Sequence, residues 1–139
     1  MTIPTFDTVQ VGDALPELVL APVNRTTLAL FAGASGDHNP AHIDIDDARA
    51  SGMPDVFAQG MLGMAWLGRF LTNWAPQHQL RKFDVRFVGI THLGNAISCT
   101  GRVVEKLAHN SEQCVRVEIS SANQYGQIKI AGVALIALG

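Results

Sequence analysis

The stretch Gly60 to Trp74 reads Gly-Met-Leu-Gly-Met-Ala-Trp-Leu-Gly-Arg-Phe-Leu-Thr-Asn-Trp, and no other segment constrains the fold as strongly. Wound into a helix, it is apolar around most of its circumference, so it must be covered on nearly every side. The sequence that follows supplies the cover. Phe83, Val85 and Phe87; Ile97, Cys99 and Val103; Val115, Val117 and Ile119; and Ile128 with Ile130 alternate as half-buried antiparallel strands do. Bends between these strands fall at Gly89 to Asn95, His109 to Ser111 and Asn123 to Gly126, where Gly, Asn and Ser tolerate turn geometry. A long buried helix followed by a four-strand meander predicts an α+β architecture, a curved antiparallel sheet wrapped around a central helix.

Upstream, Leu15 to Val23 is apolar enough for a first strand. Asn24 or Thr26 can then accept a hydrogen bond from a free backbone amide and start a helix through Leu28, Leu30 and Phe31, which ends near Gly33 or Gly36. Asp44 can cap a short helix through Ala48 to Ala50, stopped by Gly52 and Pro54. Gly60, Gly63 and Gly68 each cost the long helix about 1 kcal/mol relative to alanine, so backbone, sheet or ligand is expected to come close there.

The composition narrows the function classes. With 139 residues, 47% hydrophobic and 16% charged, the chain is expected to fold as one domain, 1–139, with one core. A net charge of -2, with the lysines and arginines scattered among acidic residues, leaves no basic stripe to neutralise a run of phosphates, so no nucleic-acid partner is expected. The most apolar stretch, Val56 to Leu67, is interrupted by Gln59 and followed by Arg69, well short of the ~20 residues of a membrane span. Met1 to Asp13 carries Asp7 and Asp13 and no apolar run, which reads as a cytoplasmic protein without a secretory leader. Cys99 and Cys114 have no Cys-x-x-Cys or Cys/His spacing suited to zinc; they read as reduced core thiols, and no metal site is expected.

Reactive side chains concentrate in one place, Phe31-Ala-Gly-Ala-Ser-Gly-Asp37-His38-Asn39-Pro40-Ala41-His42. Asp37 and His42 are separated by a proline-containing loop of a length that can turn both side chains into one cavity, pairing a carboxylate with a group that titrates near neutral pH. Such a pair can hold one water and move protons to and from it. The same Ser-Gly-Asp-x-Asn-Pro run also suits a helix exit and turn, with Asp and Asn bonding nearby backbone. His78, His92 and His109 stand alone in polar or turn-like surroundings and read as surface residues.

The run Phe31 to Ala48 resembles the signature of MaoC-like dehydratases and R-specific enoyl-CoA hydratases: an aromatic, then Ser-Gly-Asp-x-Asn-Pro-x-His, then five residues and a small one. Phe57-Ala-Gln-Gly-Met-Leu62 resembles the family's turn into its central helix, and Val85-Arg86-Phe87 its second strand. The resemblance spans nearly the whole chain and implies a hot-dog fold in which Asp37 and His42 grip a catalytic water and Asn39 shapes their loop. It implies an oxyanion donor at the backbone amide of Gly60 or Met61, where a helix N-terminus offers unpaired N–H groups. The implied reaction is reversible syn addition of water to a trans-2-enoyl thioester, giving the R-3-hydroxyacyl thioester, with no metal or redox cofactor. The acyl group would be carried by coenzyme A or acyl carrier protein; Arg69, Arg81 and Lys82 are candidates to meet its phosphates or simply solvated surface charges.

The chain departs from the family's pattern in three places. Gln59 stands where relatives often have His, which leaves it a positioning role without titration. Ile90, Leu93 and Gly94-Asn95 replace the family's prolines and Gly-Asp in the loop after the second strand. Gly68 stands where relatives can carry a polar residue near the acyl pocket. Alternatives to hydration are an acyl-CoA thioesterase and an acyl-binding subunit of a hetero-oligomeric hydratase. A homodimer or higher homo-oligomer is expected, because a curved sheet with one helix leaves edge strands and an apolar face for a second copy.

Overall fold

The computed structural model describes residues 2–139; Met1, which begins the segment read for a leader, lies outside the described residues. Five antiparallel strands form one sheet in the order β1-β3-β4-β5-β2: β1 (Leu18–Val19), β2 (Leu80–Phe87), β3 (Ser98–His109), β4 (Glu112–Ala122) and β5 (Ile128–Ala137). The sheet curls around α3 (Gly60–Trp74), whose Leu67, Phe70 and Leu71 bury against Cys99, Val103, Val117 and Ala134 of the sheet's inner face. Removing each such side chain from water contributes roughly 1.5–3 kcal/mol, so this contact holds the layers together. This is the expected α+β hot-dog arrangement. No helix of the described residues is long and apolar enough to cross a membrane.

Two further helices lie on the side of α3 away from the main core. α1 (Arg25–Ser35) starts at Asn24, whose side chain accepts the Thr27 amide at 2.9 Å. It ends at Gly36, which takes a left-handed φ of 78° that other residues adopt with strain. α2 (Ile45–Ala50) is capped by Asp44, as expected. Val23, Leu28, Ala48, Val56 and Ala58 form a second apolar cluster with Leu62 of α3. The β3–β4 connection is a two-residue hairpin, Asn110-Ser111, both at positive φ.

The structure corrects three expectations. The strands do not form a four-strand meander: only β3, β4 and β5 follow one another, while β2 pairs with β5 at the far edge. Alternation decides which face of a strand meets the helix and leaves its partner open, and the β2–β3 connection, residues 88–97, is too long for a hairpin. The first strand shrinks to Leu18–Val19 with a bridge at Ala14, because Pro16 and Pro22 have no N–H to give the ladder. Still, the amides of Leu15, Leu20 and Val23 bond along the β3 side, to Gly101, Ile97 and Asn95. The central helix is not covered all round, since Met61 is 56% exposed and Ala65 and Arg69 follow it on an open face. Phe87 and Ile128, expected to be half-buried, are about half exposed at strand ends, although the Phe87 ring still faces Gly60 of α3.

Candidate active site

The loop leaving α1 is built from its own side chains. Ser35 Oγ donates to the Phe31 carbonyl and accepts the Asp37 amide. Asp37 Oδ1 accepts the Asn39 amide at 3.2 Å, and Asn39 Oδ1 accepts the Ala41 amide at 3.1 Å, capping a single 3₁₀ turn over Pro40–His42. Asn39 therefore shapes the loop from within. The turn chemistry read in the sequence is real, and it carries two side chains to one place.

His42 is nearly buried, and its Nδ1 donates to the Phe57 carbonyl at 2.7 Å while the Phe57 ring meets the imidazole edge-on at 4.8 Å. A carbonyl only accepts, so Nδ1 carries the proton and, in the neutral ring, Nε2 presents its lone pair. Nε2 faces Asp37 Oδ2 at 3.9 Å, beyond direct hydrogen bonding and within reach of one shared water. The histidine side chain is 10% exposed and the aspartate 40%, so the pair sits at a boundary between core and solvent.

Below the pair, α3 begins. Gln59 occupies its N-cap without a side-chain cap bond, and no acceptor is found for the Gly60 and Met61 amides among the described residues. These free N–H groups give the helix end a partial positive charge. A cavity of about 170 Å³ opens here, walled by His42, Gln59, Gly60 and Gly63 on one side and by Phe87 and Ile130 on the other. Of the expected site residues, His42, Gln59 and Gly60 share this wall, Asp37 reaches it through His42, and the exposed Met61 side chain is not part of it. Gln59 is fully buried; its Nε2 donates to the Leu28 carbonyl at 3.0 Å and ties the start of α3 to α1, while its Oε1 has no partner among the described residues.

Of the three helix glycines only Gly63 meets a close approach, since a Cβ there would stand 2.8 Å from the Ile130 Cδ1; on Gly60 and Gly68 it would make ordinary contact with the Phe87 ring at 3.4 Å and the Phe83 ring at 3.6 Å. Sequence reasoning did not find the Phe57 carbonyl, although Phe57 opens the Phe-Ala-Gln-Gly run, because side-chain identity says nothing of what a carbonyl accepts. Nor did it find Ile130 or Thr91, which reach the cavity only through sheet pairing and a crossing loop.

The remaining candidates stand apart. Arg81 forms a two-pronged ion pair with Glu112, both contacts at 2.7 Å, and so is not a free phosphate ligand; Arg69 and Lys82 are exposed. His78 is exposed, whereas His92 and His109 are half-buried. Cys99 and Cys114 are free and buried, and burial pushes the Cys99 thiol up to about 12. A larger open groove of about 680 Å³ crosses the outer sheet face between Arg86 and Arg102 and touches neither Asp37 nor His42.

The whole chain has close structural counterparts. R-Hydratase PhaJ1 from Pseudomonas aeruginosa, in its unliganded form, is 28% identical and superposes with a TM-score of 0.82 over 96% of this chain and 84% of that one. A chain of the ChsH1-ChsH2 complex from Mycobacterium tuberculosis is 23% identical, with a TM-score of 0.80 over 95% of this chain and 99% of that one. The (R)-hydratase from A. caviae involved in PHA biosynthesis is 19% identical, with a TM-score of 0.79 over 95% and 98%. The last two likenesses bear on the fold alone. No curated protein matches the chain by sequence. Residues 9–124 match the family profile described as the MaoC like domain, and with most of its length matched the chain belongs to the MaoC-like domain family.

Proposed function

We propose that the protein is a hydratase/dehydratase that reversibly adds water to a trans-2-enoyl thioester to give the R-3-hydroxyacyl thioester, with Asp37 and His42 as the acid–base pair. The observation that carries the reading is the approach of Asp37 Oδ2 to His42 Nε2 at 3.9 Å, with Nδ1 held by Phe57. Both atoms are acceptors when His42 is neutral, so a water between them donates one hydrogen to each and turns its lone pairs outward. The water oxygen bonds to C3, one of its protons passes to the pair, and a proton is delivered to C2 as the enolate collapses. Negative charge on the thioester oxygen in that step is met by the free amides of Gly60 or Met61. Asp37 and His42 act on one water, and the proton belongs to the pair rather than to either residue. Membership of the MaoC-like family and the likeness to an R-hydratase support the same chemistry.

The test is a panel of enoyl-CoA substrates from short to long and steroid-like, followed by loss of the conjugated thioester absorbance. Hydration by the purified protein alone is the expected result. Thiol release from saturated acyl-CoA, without hydration of any enoyl thioester, would replace this reading with a thioesterase. Activity that appears only on adding a second hot-dog chain would make this an acyl-binding subunit. The reading also places the protein in the cytoplasm, as one domain acting on coenzyme A or acyl carrier protein thioesters. It makes the protein a homodimer in which a second copy covers Met61, Phe87, Val88 and Ile90 beside the free edge of β2.

A further inference from the structure

The cavity below Asp37 and His42 is a slot one helical turn deep. Its outer end lies at Gly60, where the half-exposed Phe87 ring sits over the helix backbone. Its inner end lies at Gly63, where the Ile130 side chain rests so close to the helix that a Cβ would stand 2.8 Å from its Cδ1. From Gly60 to Gly63 the helix rises only about 4.5 Å. Ile130 is itself buried and belongs to the main core cluster with Leu67, Phe70 and Ala134.

From this we infer that Ile130 is the floor of the acyl pocket and restricts the protein to short-chain thioesters, a statement that rests on the hydration reading above. The cavity of about 170 Å³ ends where Ile130 meets the helix at Gly63. A four-carbon enoyl group extends one bond past C3 and stays within the rise from Gly60 to Gly63. An eight-carbon group extends five bonds past C3, overruns that rise and meets Ile130. With the thioester oxygen at the Gly60 amide and C3 beside His42, the remaining carbons run along α3 toward Gly63, so chain length is measured against one side chain.

Two residues tune the floor in opposite directions. Ile130→Ala removes three carbons, room for about three more atoms of substrate, and Ile130→Val removes only one, a gentler change that keeps the core filled. Gly63→Ala places a methyl group against Ile130 and shortens the slot.

The experiment measures kcat/KM for crotonyl-, hexenoyl- and octenoyl-CoA in the wild type and these three variants, with thermal melts to confirm folding. In parallel, calorimetry measures binding of butyryl- and octanoyl-CoA. Wild type is expected to favour crotonyl- over octenoyl-CoA by ~100-fold or more, in line with the discrimination a rigid apolar wall gives per methylene. Ile130→Ala should shrink that ratio by ~10-fold or more and Ile130→Val by less, while Gly63→Ala should lose hexenoyl-CoA before crotonyl-CoA. A wild type that hydrates octenoyl-CoA as well as crotonyl-CoA overturns the inference, as does a ratio unmoved in a folded Ile130→Val and Ile130→Ala pair. Selective binding of butyryl-CoA without turnover of any enoyl thioester would instead leave the floor standing and remove the hydration reading.

Discussion

Gly132→Ala tests how tightly the sheet edge behind the cavity is built. Gly132 sits in β5 opposite Val85 of β2, and a Cβ there would lie 2.0 Å from the Asp84 carbonyl oxygen and 2.7 Å from the Val85 Cα. Those neighbours are backbone and cannot rotate away, so the two strands must part. If two ladder hydrogen bonds are lost at ~0.5–1.5 kcal/mol each, with about as much again in strain, the cost is roughly 2–6 kcal/mol. For a domain of this size ~4 °C is lost per kcal/mol, so thermal denaturation followed by circular dichroism should show a fall in Tm of roughly 8–24 °C. Because β2 runs on into Phe87 and the cavity wall, turnover should fall with it. A variant melting within ~2 °C of wild type would refute this account of the β2–β5 contact.

Three further outcomes follow from particular contacts. Arg25 grips Asp55 through two hydrogen bonds and holds its carboxyl below the ordinary value of 3.8, so the clamp contributes above that value and is lost as pH falls through the lower folded-state value. Urea midpoints of wild type and Arg25→Ala should therefore differ at pH 6, by a small amount because the pair is exposed, and draw together as the pH falls below 3.8; a gap unchanged in acid would contradict the assignment. Desolvation raises both cysteine thiols, so neither should react with a thiol reagent at pH 8 until the protein is unfolded by urea, and fast labelling of the native form would show the core to be open. Gln59→Ala should reduce kcat by roughly 10-fold or less, far less than loss of Asp37 or His42, because its amide only ties α3 to α1; a deeper loss would give it a part in the chemistry.

The most legible element in the sequence was α3, whose start and end were predicted at Gly60 and Trp74 because a run apolar on so many sides has few other fates. The loop was legible for a different reason: Ser35, Asp37 and Asn39 bond to backbone within a few residues, so local spacing fixes their geometry. Placing β2 beside β5 was not legible, since the inward pattern of Phe83 and Val85 is satisfied equally by any neighbouring strand. The hold of Phe57 on His42 spans 15 residues, and the meeting of Ile130 with Gly63 depends on sheet register; neither leaves a trace in local spacing. The open face at Met61 is not legible in the sequence, because a single apolar segment does not say whether its own chain or another covers it.

The central claim, that Asp37 and His42 share one water, is tested most directly by turnover of Asp37→Asn, His42→Ala and the double variant on the best enoyl thioester of the panel. Each single change should reduce hydration ~100-fold to 10,000-fold, the usual worth of a positioned acid or base. The double variant should be little worse than either, because once one partner is gone the water is no longer held for the other. Folding should survive in all three, as both side chains sit on a loop at the cavity rim. A single variant with near wild-type turnover and an intact circular dichroism spectrum, or losses that simply multiply in the double variant, would contradict the shared-water account.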